Sequence, residues 1–175
     1  MTATAHRRRR PLALIAGSLF ALVWTANYTP MPRLVYNASD SLPIGWYHIE
    51  ATRSLRPGDT VLINLPHEAR TFAAQRGYLP ANVPLLKTVA AIAPQHVCVL
   101  SGLIVVDSEP VAIRLRVDRK GRVLPQWSGC RQLDDGELFL LSTDNPESFD
   151  SRYFGPVFVD SVIGRAQPLW VEARP

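Results

Sequence analysis

Short runs of apolar and β-branched residues, separated by Pro, Gly and polar residues, make up most of the chain after its N-terminal segment. The runs of this kind are residues 60–65, 96–100, 103–106, 137–141 and 157–159. Their length and composition predict strands, and Ser101-Gly102 between two of them predicts a hairpin turn. Residues 67–75 are Ala-rich and follow a proline, which predicts one short helix. We expect a mostly β domain with hairpins and a short helix.

The N-terminal segment has a different pattern, because sixteen uncharged positions, 11–26, follow the arginine run 7–10. Arginines followed by an apolar stretch predict a membrane-targeting segment and argue against a buried core helix. The stretch is slightly shorter than the roughly 17–25 residues of a spanning helix, so a cleaved signal peptide and a retained anchor are both open. Trp24-Thr25-Ala26 fits a cleavage site poorly, and this favours the anchor.

This pattern divides the chain into three parts. Residues 1–10 are a basic cytoplasmic tail, residues 11–28 a membrane anchor or signal segment, and residues 29–175 one domain outside the cytoplasm, in the periplasm. A length of 175 residues with 47% hydrophobic side chains suits a single domain with a real core. No internal repeat or second domain boundary interrupts residues 29–175.

The net charge of +4 does not indicate nucleic-acid binding, because the excess lies in the tail. Without the arginines at 7–10, the rest of the chain has 15 basic and 15 acidic side chains. The four histidines, His6, His48, His67 and His96, are scattered without ligand spacing, so we expect neither a metal nor a cofactor. Cys98 and Cys130 form either one disulfide, as an oxidising compartment would allow, or two buried thiols.

Lys87 is the first candidate for chemistry. It is one of two lysines in the chain, with Lys120, and lies in the apolar stretch 84–93, which predicts a strand. Alternation along that strand places Lys87, Val89 and Ala91 on one face. Burial would lower the pKa of the lysine and make its neutral amine available as a general base. The alternative is a lysine whose amine reaches the surface.

Two serines, Ser39 and Ser41, lie in the polar stretch "NASDSLPIG" at 37–45. A serine needs a base to become a nucleophile, and the sequence has no Gly-x-Ser-x-Gly elbow. A Ser-Lys pair is therefore the catalytic hypothesis. The alternative is a plain turn, since Ser and Asp beside Pro and Gly commonly form one.

Three segments together resemble a known family. Ser41-Leu-Pro-Ile-Gly45, Leu86-Lys-Thr-Val-Ala-Ala91 and Ser148-Phe-Asp-Ser-Arg-Tyr-Phe-Gly-Pro156 are similar, in this order, to the serine, lysine and Asp-Ser-Arg-Tyr boxes of the type I signal peptidases. The Ser-Leu-Pro-x-Gly form and the small size look most like the conjugative-transfer branch, the TraF-type peptidases that process pilin precursors. Two departures are Gln95-His96, where the family often has Gly-Asp, and residues 142–145, where it often has Asn-Arg-Asp-Asn.

The resemblance implies a signal-peptidase-like β fold and assigns a role to each matching residue. Ser41 is the nucleophile and Lys87 its general base. Ser39 matches a hydroxyl that helps the Ser41 backbone N–H bind the oxyanion. Ser148 matches a serine that orients the lysine amine.

Asp150 and Arg152 match a supporting pair, and Asp150 is also a candidate catalytic residue. The function implied is a membrane-associated serine endopeptidase that processes exported precursors, such as a conjugative pilin, and possible cyclisation of the product is left open. Its partners would be the precursor, the inner membrane and other transfer-apparatus proteins. The alternatives are a non-catalytic anchored β module of a secretion or pilus assembly, and a self-cleaving regulator, which would need a DNA-binding domain in place of the apolar segment.

Overall fold

The computed structural model describes residues 14–15, 17–24, 31–52 and 54–172. Residues 14–15 and 17–24 are helical and belong to a unit separate from the one that begins at Arg33. None of the helices in these ranges has the length and apolar content needed to cross a membrane. The predicted anchor lies partly outside the described residues, at positions 11–13, 16 and 25–28, and it remains a prediction together with the division into three parts.

Antiparallel strands make up most of the described chain from Arg33 onward, which confirms the mostly β class. The strands are β1 Leu34–Asn37, β2 Gly45–Glu50, β3 Thr60–Ile63, β4 Leu85–Ile92, β5 His96–Leu100, β6 Leu103–Val106, β7 Glu109–Ile113, β8 Cys130–Gln132, β9 Glu137–Leu141, β10 Val157–Phe158 and β11 Val162–Val171. The helices are α1 His67–Arg76 and α2 Ser151–Phe154, and a 3₁₀ turn spans Val159–Ser161. The predicted helix and the predicted hairpin between β5 and β6 are both present.

The strands form two sheets. The larger has the order β1-β2-β11-β3-β4-β9-β10, and the smaller has the order β7-β6-β5-β8. Helix α1 lays Ala69 and Ala73 on one face of the larger sheet, against Val61 and Val89. A second core cluster joins the two sheets; its buried members are Ala91, Val97, Ile104, Val106, Leu133, Phe139 and Leu141. Burial of these apolar side chains is the main force holding the sheets together.

Two predicted strands differ from the structure in their bounds. Strand β3 ends at Ile63 instead of residue 65, and the run 157–159 contributes only two strand residues before the 3₁₀ turn. Five of the described strands had no predicted counterpart, namely β1, β2, β7, β8 and β11. The longest of them is the ten-residue β11, whose sequence contains Gly164, Gln167 and Pro168. It forms through pairing with β2 and β3 on either side, which a local pattern cannot report.

Strand β4 shows a further difference. Lys87 stands opposite Val61 of β3, and Val89 packs on the same face as Val61. The pairing of β4 with β9 shifts between Val89 and Ala91, and Ala91 packs in the cluster between the sheets. The prediction that Lys87, Val89 and Ala91 share one face is therefore wrong for Ala91, since a register shift interrupts strict alternation.

Cys98 and Cys130 are joined by a disulfide. The two residues stand opposite each other in the pairing of β5 with β8. The bridge therefore ties the edge strand of the smaller sheet to its neighbour.

Candidate active site

The loop that carries Ser41 joins β1 to β2, and a buried asparagine organises it. The side-chain amide of Asn37 donates to the carbonyls of Ser39, Leu42 and Pro43 at 3.0, 3.0 and 3.1 Å. The hydroxyl of Tyr47 donates to the carbonyl of Pro43 at 2.8 Å. Because a buried amide shares its two N–H donors among three turn carbonyls, the loop is held from within and is not an open surface turn.

Gly45 explains why the serine segment ends in glycine. Its φ is +145°, and a Cβ atom at this position would lie 2.2 Å from the carbonyl oxygen of Trp170. Strand β11 thus lies close beside the start of β2, where Val171 stands opposite Gly45, and the N–H of Glu172 donates to the carbonyl of Ile44 at 2.8 Å. Only glycine allows this approach, which sets the position of the loop relative to the sheet.

The two serines of the loop differ in their surroundings. Ser41 is half-buried, and its Oγ lies 3.1 Å from the Oγ of Ser148. Ser39 is exposed; its hydroxyl and its N–H both contact the Oδ1 of Asn37, at 2.9 and 3.2 Å. In this state the Ser39 hydroxyl donates to Asn37, and its role as an oxyanion donor stays a prediction.

Lys87 lies in the middle of the larger sheet, and its side chain is fully buried. The Nζ atom donates to Ser148 Oγ at 2.5 Å and to Ser142 Oγ at 2.9 Å. The pKa of Lys87 is lowered to about 8, mainly by burial; the charge of Asp150 opposes this shift and that of Arg152 contributes to it. The alternative of an amine at the protein surface does not apply to a residue with 0% exposure.

Asp150 and Arg152 form a buried ion pair beneath the lysine. Arg152 Nε and Nη2 donate to the two carboxylate oxygens of Asp150 at 2.8 and 2.7 Å. Asp150 is also the N-cap of α2, since it accepts from the N–H of Arg152 at 3.2 Å. The guanidinium further donates to four backbone carbonyls, those of Ile113, Ser142, Asn145 and Pro146. A charge pair with this many partners tolerates complete burial.

A chain of hydrogen bonds connects the predicted nucleophile with the predicted base. It runs from Ser41 Oγ to Ser148 Oγ and on to Lys87 Nζ. Within the described ranges, Ser41 and Lys87 share no direct hydrogen bond, so Ser148 is the link between them. The predicted residues Ser39, Ser41, Lys87, Ser148, Asp150 and Arg152 all belong to this region, whereas Cys98 and Cys130 lie in the smaller sheet.

A cavity of about 360 Å³ opens beside these groups and is lined by Ser39, Ser41, Lys87 and Ser148. Its apolar walls come from Leu65, Ala73, Leu79, Leu85, Leu115, Leu124, Phe149 and Tyr153. Ion pairs lie on the lining: Asp118 with Arg122 at 2.7 Å, and Arg119 with Glu147. A largely apolar groove with a hydroxyl and a buried amine at its wall suits an extended peptide with small or apolar side chains.

Two residues that support the site were not among the predicted ones. Asn37 was part of the quoted stretch 37–45, where an Asx residue before two serines could have indicated a side-chain-stabilised turn. Ser142 had no local signal, because its contact with Lys87 depends on the pairing of β4 with β9. In the described part of the chain, no group of three or more His, Cys, Asp or Glu side chains is arranged to hold a metal ion.

Residues 7–171 match the protein family described as signal peptidase, peptidase S26. The chain belongs to this signal peptidase family. Membership of this family makes the chain a serine peptidase. The groups suited to that chemistry, Ser41 and Lys87, line the cavity described above.

Relatives of similar length are conjugative-transfer proteins. The conjugal transfer protein TraF of Agrobacterium fabrum is 34% identical over 77% of this chain and 80% of its own. The probable conjugal transfer protein TraF of Sinorhizobium fredii is 36% identical over 95% of this chain and 93% of its own. A solved signal peptidase I of Enterococcus faecalis V583 aligns with a TM-score of 0.39 and 16% identity, over 66% of this chain and 98% of that one. That score is low, and the fold follows from the strand pairing described above.

Proposed function

We propose that this signal peptidase family member cleaves exported precursor proteins with a Ser-Lys dyad, in which Ser41 is the nucleophile and Lys87 the general base. The observation that carries the proposal is the fully buried amine of Lys87, which is hydrogen-bonded to Ser148 while Ser148 contacts Ser41. A buried amine with a pKa of about 8 is deprotonated in a useful fraction of molecules near neutral pH.

The reaction begins when Ser41 Oγ attacks the scissile carbonyl carbon. The proton of the hydroxyl passes to Lys87, and Ser148 lies on the hydrogen-bonded path between the two groups. Lys87 then returns this proton to the leaving amine, and an acyl-enzyme on Ser41 remains. Water activated by the neutral Lys87 hydrolyses the ester and releases the enzyme.

The oxyanion of the tetrahedral intermediate needs donors at the Ser41 loop. We assign this role to the backbone N–H of Ser41 together with the hydroxyl of Ser39, which must rotate away from Asn37 to donate toward the cavity. A donor of this kind is worth about 3–4 kcal/mol of transition-state stabilisation. Asp150 and Arg152 act below the lysine and keep its surroundings in place.

Conjugation is the process in which we expect the substrate to occur. The relatives in Agrobacterium fabrum and Sinorhizobium fredii carry the name of conjugal transfer proteins, and they cover most of this chain. We infer a precursor such as a pilin subunit, with small residues beside the scissile bond, processed at the periplasmic side of the inner membrane. If the amine of the substrate replaces water at the acyl-enzyme, the product is cyclic.

A processing assay with single variants tests the dyad. We expect Ser41→Ala and Lys87→Ala to lose cleavage of a candidate pilin precursor by at least about a thousand-fold. Ser108→Ala is the matched control, because Ser108 is an exposed serine in the turn between β6 and β7. Normal cleavage by either dyad variant, at equal amounts of folded protein, would rule out the Ser-Lys mechanism and favour the non-catalytic β module.

A further inference from the structure

A second hydroxyl, that of Ser142, holds the amine of Lys87. The Nζ atom donates to Ser142 Oγ at 2.9 Å, and Ser142 is 1% exposed. Ser142 directly follows β9, in which Leu141 stands opposite Thr88 of β4. In an antiparallel pair the next residues, Ser142 and Lys87, are then cross-strand neighbours, so the sheet register itself brings the hydroxyl to the amine.

The backbone of Ser142 is held on both sides by the buried ion pair. Its N–H donates to Asp150 Oδ2 at 3.0 Å, and its carbonyl accepts from Arg152 Nη2 at 3.0 Å. Asp150 and Arg152 are themselves 2.7 Å apart. For the described residues, no hydrogen bond or ion pair joins Asp150 to Lys87, so the contact between the ion pair and the lysine runs through Ser142.

We propose that Ser142 is a positioning residue, whose hydroxyl fixes the orientation of the Lys87 amine and whose backbone ties that amine to the Asp150–Arg152 ion pair. The proposal rests on the function assigned to Lys87 above and adds a residue to it. It also explains what a buried ion pair without a solvent-facing or substrate-facing atom does for the site.

The reason lies in the geometry of a neutral amine. Such an amine has two N–H donors and one lone pair, and only the lone pair can take a proton. When Ser142 accepts one N–H of the neutral amine, rotation about the Cε–Nζ bond is restricted and the lone pair faces Ser148, whose hydroxyl donates to Nζ in this protonation state. Loss of this hydroxyl leaves the amine free to rotate, and a misplacement of this kind lowers turnover by roughly 10- to 100-fold.

Ser142 also affects the proton affinity of the amine. A hydroxyl that accepts from nitrogen stabilises the charged ammonium more than the neutral amine. The charged groups that act on Lys87 are Asp150 and Arg152, and the strand on its other side presents the apolar Val61. Removing the Ser142 hydroxyl therefore lowers the pKa of Lys87, whereas a general loss of folding exposes the amine and moves that pKa in the opposite direction, up toward 10.5.

Lysine NMR measures this effect without any substrate. The chain has two lysines, so ¹³C-lysine labelling of the full chain gives one signal for Lys87 and one for the exposed Lys120. We expect the titration midpoint of Lys87 to move to lower pH in Ser142→Ala. Ser151→Ala is the matched control: Ser151 is fully buried, its hydroxyl accepts from the N–H of Leu140, and it does not touch the lysine.

The kinetic readout uses the same variants. Ser142→Ala should lower kcat by roughly 10- to 100-fold with little change in KM, and the acid limb of its pH profile should shift to lower pH. Ser142→Cys keeps a similar volume and replaces the hydroxyl by a weak acceptor, so it should give the same shift. It is the variant to use if Ser142→Ala does not fold. If the titration midpoint of Lys87 is unchanged in Ser142→Ala or Ser142→Cys, the role proposed for Ser142 is wrong. If Lys87→Ala is active, the Ser-Lys dyad is wrong. The NMR titration does not depend on that second result, so the two failures are distinguishable.

Discussion

The buried amine of Lys87 makes the pH dependence of catalysis a quantitative test. With a pKa of about 8, about 9% of the lysine is neutral at pH 7, about 1% at pH 6 and about 91% at pH 9. A solvated lysine with the ordinary pKa of 10.5 would be about 0.03% neutral at pH 7. Burial therefore supplies a gain of about 300-fold in the reactive form at neutral pH.

The sign follows from the direction of proton transfer. Only neutral Lys87 accepts the proton of Ser41, so kcat/KM should fall about ten-fold for each pH unit below the pKa and level off above it. The assay is cleavage of a quenched peptide with small residues beside the scissile bond, measured from pH 5.5 to 9.5 at low substrate concentration. Under that condition kcat/KM reports the pKa of the free enzyme.

Two controls separate this effect from unfolding. Circular dichroism at each pH shows whether the β domain is intact, and Lys87→Arg should be inactive throughout because arginine stays protonated. A profile that stays level down to pH 6 would exclude a lysine base. A limb centred near 6.5 would indicate a histidine instead, since this is the ordinary pKa of that side chain.

Three further predictions concern the supports of the site and the fold. Asn37→Ala should lower kcat roughly 10- to 100-fold, because it removes the hydrogen bonds that hold the Ser41 loop. The titration midpoint of Lys87 in lysine NMR should not move, since the substitution leaves the lysine untouched. An unchanged kcat would show that the loop needs no such support. Lys87→Met should raise the free energy of unfolding below pH 8 by up to roughly 3 kcal/mol, since burial disfavours the ammonium in the wild-type protein. The stability difference between the two proteins should shrink as pH rises from about 8 toward 10.5. Denaturant titrations in which this difference does not shrink would contradict the lowered pKa of Lys87. Replacing Cys98 and Cys130 by serine should lower the free energy of unfolding by about 3–4 kcal/mol, since the bridge joins residues 32 positions apart. The kcat at 25 °C should be unchanged, because the bridge lies in the smaller sheet. A loss of kcat in folded protein would show that the disulfide also supports the active site.

The sequence by itself determined the class of the domain and the identity of its chemistry. Runs such as 96–100 and 103–106 predicted strands where the structure has β5 and β6. The prediction succeeded because the apolar residues of each strand and the turn residues between them are local signals. The serine, lysine and Asp-Ser-Arg-Tyr segments, in this order, pointed to the signal peptidases, and the match over residues 7–171 confirms that family.

Other features were decided only by the tertiary structure. Strand β11 carries Gly164 and Pro168 and exists because β2 and β3 pair with it on either side. The sequence also left open whether Lys87 reaches the surface, because an apolar neighbourhood along the chain does not determine what covers a side chain in space. Its complete burial follows from its central position in the larger sheet.

The contacts of Lys87 illustrate the physical reason. Its distances to Ser142 and Ser148 join residues 55 and 61 positions apart, and both depend on the pairing of β4 with β9 and on the turn that follows. Local propensity acts over a few residues, whereas burial, register and the resulting pKa are properties of the assembled sheet. The residue types suited to a Ser-Lys site can therefore be recognised in the sequence, whereas only the folded sheet gives the lysine its hydrogen-bond partners and its lowered pKa.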